Sequence, residues 1–248
     1  MKIVAIGGGG NGSFGKPYEV KPFDQEIIKL TGKQNPNYLF IGLTQASLKV
    51  AEDYYKRMRL NFGTILDCKC DYLCETEITD EQIVKSKINW ADIIYVGGGN
   101  TLRLMTLLRR YKIDKLLKEA GEQGKVLCGV SAGAICWCNY GNSDSRKFTS
   151  NSTKLIKVKG LGFVNILYCP HYDGEVARQA DLVRMMKNTS GVAIACENCT
   201  ALKIVDNTYE VLKVKDDAKV YKCYYKKGEY IKKELNQKGS IQQLSSKD

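Results

Sequence analysis

An α/β fold, with a mostly parallel sheet, helices on both faces and extra strands near the C-terminus, is predicted by three observations. Strand-like and helix-like segments alternate from the start of the chain to about Arg146, the succession that βαβ crossovers require. Residues 92–96 and 126–130 are apolar almost throughout, as strands buried on both faces must be. Glycine clusters stand at strand ends, at positions 7–10 and 97–99, where an open parallel sheet collects its functional loops.

The elements follow in order. Residues 3–6 read as a strand running into Gly7-Gly8-Gly9-Gly10; residues 25–30 read as helix, 38–43 as strand and 47–60 as helix. A short strand at 63–66 and a helix near 80–87 precede the buried strand 92–96 and the turn Gly97-Gly98-Gly99. Asn100 is a natural N-cap for one helix carrying Leu102, Met105, Leu108 and Leu116, with Gly121 near its stop. The apolar strand 126–130 comes next, and residues 139–150 read as a polar loop. Beyond about Arg146 the pattern changes: strands at 163–169 and 192–196 flank a helix at 175–187. Short strands at 201–205, 210–213 and 219–225 are joined by turns at Asp206-Asn207 and Asp216-Asp217. From Gln237 onward the chain is polar and is expected to fray. With no repeat or long linker, residues 1–248 read as one domain.

Composition narrows the function. The 248 residues carry 38 Lys+Arg against 27 Asp+Glu, a formal charge of +11, with 44% hydrophobic and 26% charged residues. That supports a sizeable core and argues against disorder. No apolar run approaches the roughly 18 residues of a membrane span. The apolar stretch after Lys2 is shorter than the about 7–15 residues of a signal-peptide core, so a soluble, cytoplasmic protein is expected. The lysines are scattered, and the densest run, 213–233, alternates with Tyr, Val and Ile like solvated strand faces. No nucleic-acid or membrane partner is expected. Of the ten cysteines, Cys128, Cys136, Cys138 and Cys169 lie in apolar stretches and read as small hydrophobes. Cys68, Cys70 and Cys74, and the pair Cys196 and Cys199, lack the paired spacing of a structural zinc site in a chain with one histidine. Neither metal nor cofactor is expected. Gly7-Gly8-Gly9-Gly10-Asn11-Gly12 fits a dinucleotide fingerprint literally, but Lys16-Pro17 stands where the phosphate-binding helix should run. It reads as a strand-end loop near the site.

The chemistry concentrates around Gly129-Val130-Ser131-Ala132-Gly133, a G-x-S-x-G motif where a buried strand meets a short apolar helix. In a nucleophile elbow the serine occupies a strained turn that lifts its hydroxyl clear of the sheet. A serine needs a base, and His171, in Cys169-Pro170-His171-Tyr172-Asp173 at the end of strand 163–169, is the candidate. A carboxylate should orient the imidazole. Asp173 and Glu175 follow His171 too closely to reach back around the ring; Glu197, at a strand end, is preferred, with Asp144 as the alternative. Oxyanion donors are expected from the amide of Ala132 and from the Gly97-Gly98-Gly99 turn.

Taken together, I-x-I-G-G-G-G at the N-terminus, Tyr95-Val96-Gly97-Gly98-Gly99-Asn100-Thr101, Gly129-Val130-Ser131-Ala132-Gly133-Ala134 and Pro170-His171-Tyr172-Asp173 resemble the S51 serine peptidases. The family includes aspartyl dipeptidases and cyanophycinases. The resemblance runs to about Val205 and implies a class I glutamine amidotransferase-like α/β/α sandwich with a Ser-His-Glu triad. Carried over, Ser131 is the nucleophile, His171 the base and then the acid, and Glu197 the orienting carboxylate. Gly98 or Gly99 with Ala132 forms the oxyanion hole. The implied substrate is a short peptide, with a dipeptide bearing an N-terminal aspartate preferred. Such a substrate calls for a cation beside the nucleophile, with Arg178 the candidate and Arg184 farther along the same helix. A cyanophycinase-like hydrolase and a non-catalytic ligand-binding module are the alternatives, and a homodimer is compatible with either.

Overall fold

The computed structural model describes residues 1–247 except 13, 14, 16 and 175. Strands β1 (Lys2–Ile6), β2 (Asn37–Ile41), β3 (Lys69–Leu73), β4 (Ile93–Val96) and β5 (Val126–Val130) form a parallel core in the spatial order β3-β2-β4-β5-β1. Antiparallel β10 (Thr200–Val205), β11 (Thr208–Lys213) and β14 (Lys238–Ser240) extend this sheet beyond β1. A second sheet runs β13-β12-β9-β8-β6-β7. It contains β6 (Cys138–Ser143), β7 (Ile156–Lys159), β8 (Val164–Cys169), β9 (Ala193–Cys196), β12 (Val220–Lys226) and β13 (Glu229–Glu234). Its centre, β6-β8-β9, is parallel and its outer pairs are antiparallel. The predicted α/β class holds, and the sheets are mixed.

Side-chain alternation explains the burial of the first sheet. Ile3, Ala5, Leu39, Ile41, Ile94, Val96 and Leu127 enter one core with Leu104 and Leu108 of α4 (Thr101–Arg110) and Leu117 of α5 (Ile113–Glu122). Val4, Ile6, Tyr38, Phe40, Ile93, Tyr95 and Cys128 enter the other with Phe23 and Ile27 of α1 (Lys21–Thr31) and Met58 of α2 (Leu48–Arg59). Both faces of the strands are covered, so their sequences are apolar almost continuously. The first of these cores continues through Leu202 and Ile204 to Tyr168, Ile194, Cys196 and Tyr224, which joins the two sheets.

Several expectations are corrected. Residues 63–66 are not a strand: Leu60–Ile65 form a π-helical turn in which Leu66 N–H reaches Asn61 O at 3.1 Å. The turn sets Phe62 against Tyr38, ring centroids 4.0 Å apart, and the strand that pairs with β2 begins at Lys69. The helix expected to run from 101 to 121 is broken at Lys112, whose φ is 58°, into α4 and α5. The expected loop 139–150 holds most of β6 and a short α7 (Ser145–Ser150). Residues 238–245 do not fray. Lys238–Ser240 pairs with β11, and α9 (Ile241–Ser245) starts with a Ser240/Gln243 capping box and buries Leu244 completely. Its anchors are one leucine and a cap, a signal too sparse to outweigh its polar composition. Asn100 caps α4 as predicted, its Oδ1 accepting from Arg103 N–H at 3.1 Å. The remaining long helices are α3 (Glu81–Trp90) and α8 (Val176–Lys187); the expected start of the latter, Glu175, lies outside the described residues. No helix among the described residues is long and apolar enough to cross a membrane.

Candidate active site

The end of β1 organises the site. Three successive carbonyls receive an N–H from three different loops: Ile6 O from Ser131 at 3.1 Å, Gly7 O from His171 at 3.0 Å and Gly8 O from Cys199 at 2.9 Å. The first loop is the turn from β5 into α6 (Ala132–Ile135), the second follows β8, and the third lies between β9 and β10. Ser131 and His171 also line one cavity of about 250 Å3, together with Gly98, Gly99, Tyr54 and Tyr95.

Ser131 adopts φ 55°, ψ −110° at the start of α6. A non-glycine residue in such a conformation costs on the order of 1–3 kcal/mol and needs its surroundings to hold it. The Ile6 bond does so from one side; from the other, Ala134 and Ile135 N–H groups reach Ser131 O at 3.0 and 2.9 Å. The flanking glycines of the motif are explained by close approach. A Cβ on Gly133 would lie 2.0 Å from Val96 O, and one on Gly129 2.5 Å from the same oxygen.

His171 also has a positive φ, 50°. Its Nδ1 lies 2.8 Å from Asn198 Oδ1, and the pair rests on the glycine loop. A Cβ on Gly8 would fall 2.1 Å from Asn198 Oδ1 and 2.4 Å from His171 Nδ1. The glycine run after β1 is therefore part of the site, as expected. Burial pushes the imidazole pKa below its ordinary value; the Asn198 bond opposes this, the Arg178 charge adds to it, and Asp144 and Asp173 oppose it.

The expected third member is corrected. Asn198, not Glu197, is the hydrogen-bond partner of His171 Nδ1. Glu197 is turned toward the start of β12, where Oε2 accepts from Lys219 N–H at 2.7 Å. β9 ends at Cys196, and the turn that follows carries Cys199 at φ 61°, so residue 198 rather than 197 comes over Gly8. Asp144, the residue before α7, acts on the ring through charge. Asp173 does the same and also holds Asn198, its Oδ1 accepting from Asn198 N–H at 2.7 Å and Nδ2 at 3.0 Å.

The Gly97-Gly98-Gly99 turn is tied down from behind. Gly98 O accepts from Thr44 Oγ1 at 2.7 Å and from Gln45 Nε2 at 2.9 Å, while Gly98 N–H donates to Tyr54 Oη at 3.3 Å. In a trans peptide C=O and N–H point in opposite directions, so the Gly99 N–H faces away from Thr44 and Gln45. Of the two glycines expected as donors, Gly98 has its N–H on Tyr54; Ala132, the other expected donor, is the first residue of α6. Burial raises the Tyr54 pKa, so its hydroxyl is neutral. Thr44, Gln45, Tyr54 and Asn198 carry no motif and escape a reading of the sequence.

Arg178, expected beside the nucleophile, lies away from the cavity that Ser131 and His171 line. It is 3% exposed and is not among the residues lining the cavity. Its Nη1 donates to Asn142 O and Oδ1, both at 3.2 Å. Arg184 is exposed and paired with Asp181 on its own helix. Among the described residues no group of His, Cys, Asp and Glu side chains is arranged to hold a metal ion.

Residues 3–212 match the profile of Peptidase family S51. The chain is 32% identical over 225 residues to an uncharacterized peptidase, YgaJ, of Bacillus subtilis, covering 89% of this chain and 91% of that one. It is 29% identical over 189 residues to Peptidase E of Shewanella denitrificans, covering 71% and 74%. A peptidase from an acI-B1 actinobacterium superposes with TM-score 0.72 at 19% identity, covering 96% of each chain. A putative Peptidase E protein from Listeria monocytogenes gives TM-score 0.58 at 20% identity, covering 95% of this chain and 98% of that one. The two solved structures support the fold.

Proposed function

Because the chain belongs to peptidase family S51, we propose that it is a serine peptidase that cleaves short peptides through an acyl-enzyme on Ser131. The observation that carries this reading is the strained Ser131 at the end of β5, held by the same strand end that holds His171, with both residues on one cavity.

In the proposed reaction Ser131 Oγ attacks the scissile carbonyl while His171 Nε2 takes its proton. The N–H groups of Gly99 and Ala132 receive the oxyanion of the tetrahedral intermediate. As the C–N bond breaks, His171 returns the proton to the leaving amine. A water, deprotonated by the same nitrogen, then attacks the acyl-serine ester; collapse of the second intermediate expels Ser131, which recovers its proton from His171. Asn198 Oδ1 holds His171 Nδ1–H throughout, the part the resemblance assigns to a carboxylate.

The finer part of the proposal is a preference for dipeptides with an N-terminal aspartate. It draws on the likeness to Peptidase E and on the +11 charge, which favours acidic substrates. Wild type and Ser131→Ala are to be incubated with Asp-X, Glu-X and neutral dipeptides and free amino acid measured. Release from Asp-X that vanishes in the variant supports the whole proposal. Release from neutral dipeptides alone removes the aspartate preference, and release that persists in Ser131→Ala removes the serine mechanism.

A further inference from the structure

Resting on the serine-peptidase reading, we propose that Asp173 is a positioning residue that fixes the side-chain amide of Asn198 and, through it, the tautomer of His171. The tight turn after His171, closed by Gly174 N–H on His171 O at 3.0 Å, swings Asp173 around to Asn198. There one carboxylate oxygen accepts from both the backbone N–H, at 2.7 Å, and the side-chain Nδ2, at 3.0 Å.

A carboxamide offers an acceptor on one side and donors on the other, and its neighbours decide which way it faces. With Nδ2 committed to Asp173, Oδ1 must face the imidazole, where it lies 2.8 Å from Nδ1. An oxygen at that position requires the proton on Nδ1 and leaves Nε2 unprotonated, the form that can take a proton from a serine. The reversed amide would set Oδ1 against the Asp173 carboxylate and Nδ2 against Nδ1. His171 would then be driven to the Nε2–H tautomer, which cannot act as the base. Asp173 thus governs the ring without touching it. Glu197 takes no part, being bonded to Lys219 N–H.

His171 is the only histidine in the chain, so a long-range 1H–15N imidazole spectrum reads its tautomer without overlap and without substrate. Wild type is expected to show the Nδ1–H form above its pKa. Asp173→Ala, at an exposed position, is expected to show a tautomer mixture and a kcat about tenfold lower with KM little changed. Asp173→Asn keeps an acceptor oxygen and should recover most of both. The exchange Asp173→Asn with Asn198→Asp should keep the Nδ1–H form while raising the His171 pKa, because the carboxylate then bonds the ring directly. An Asp173→Ala protein whose imidazole spectrum and kcat match wild type overturns the positioning role, even if Ser131→Ala abolishes hydrolysis. A tautomer shift in Asp173→Ala alongside a wild type that cleaves no peptide upholds the positioning role and removes the peptidase reading instead.

Discussion

At the scale of single residues, protonation decides what the site can do. Burial lowers the His171 pKa, so the imidazole is a neutral base at physiological pH. The acidic limb of kcat/KM is accordingly expected below pH 6.5, where a rate profile between pH 4 and 8 will find it. Asn198→Asp replaces a neutral acceptor with a charge and should move that limb upward by about one unit or more. A second buried group, Asp24 in the first turn of α1, is fully enclosed; Tyr18 Oη donates to Oδ2 at 2.6 Å and Oδ1 has no hydrogen-bond partner among the described residues. Burial pushes its pKa from 3.8 to about 7. Across that interval the folded protein keeps a proton that the unfolded chain has released, so stability falls as pH rises, by about 4 kcal/mol in full. Urea titrations between pH 4 and 8 should show this slope in wild type and its loss in Asp24→Asn.

At the scale of elements, the carbonyls of Ile6, Gly7 and Gly8 bind the serine, histidine and asparagine loops to one strand end. Gly8→Ala would set a Cβ against both Asn198 Oδ1 and His171 Nδ1. Cleavage should fall by a factor of a hundred or more while the far-ultraviolet spectrum is kept, since misplacement of a base by about 1 Å has that effect. Thr44→Val removes the 2.7 Å bond to Gly98 O and should lower kcat more than it raises KM, as expected of a group that orients a transition-state donor. Ser131 and His171 were legible in the sequence because the close approach of Val96 O demands a glycine on either side of the serine turn and because no other histidine competes. Asn198 was not. Whether residue 197 or 198 faces the ring depends on where β9 stops and on the left-handed Cys199, and neither leaves a mark in composition. The outer strands β3, β7 and β13 were missed or misplaced because strands with limited burial carry a weak hydrophobic pattern.

At the scale of the whole molecule, the parallel core was legible because strands covered on both faces must be apolar throughout. The second sheet was less so, since its centre is parallel and its outer pairs antiparallel. The C-terminal segment ties the two sheets together: Lys222 Nζ on β12 donates to Gln243 O of α9 at 2.7 Å, and Leu244 enters the core shared by both sheets. Leu244→Ala should therefore cost about 2–4 kcal/mol in a denaturant titration, where a frayed tail would cost nothing.

The claim that all of this serves, a nucleophilic Ser131 activated by His171, is tested most directly by intact-protein mass spectrometry after treatment with a fluorophosphonate. One adduct is expected, mapped to Ser131, lost in Ser131→Ala and strongly slowed in His171→Ala. A protein that stays unmodified while it hydrolyses peptides, or that is modified elsewhere with Ser131→Ala fully active, would contradict it.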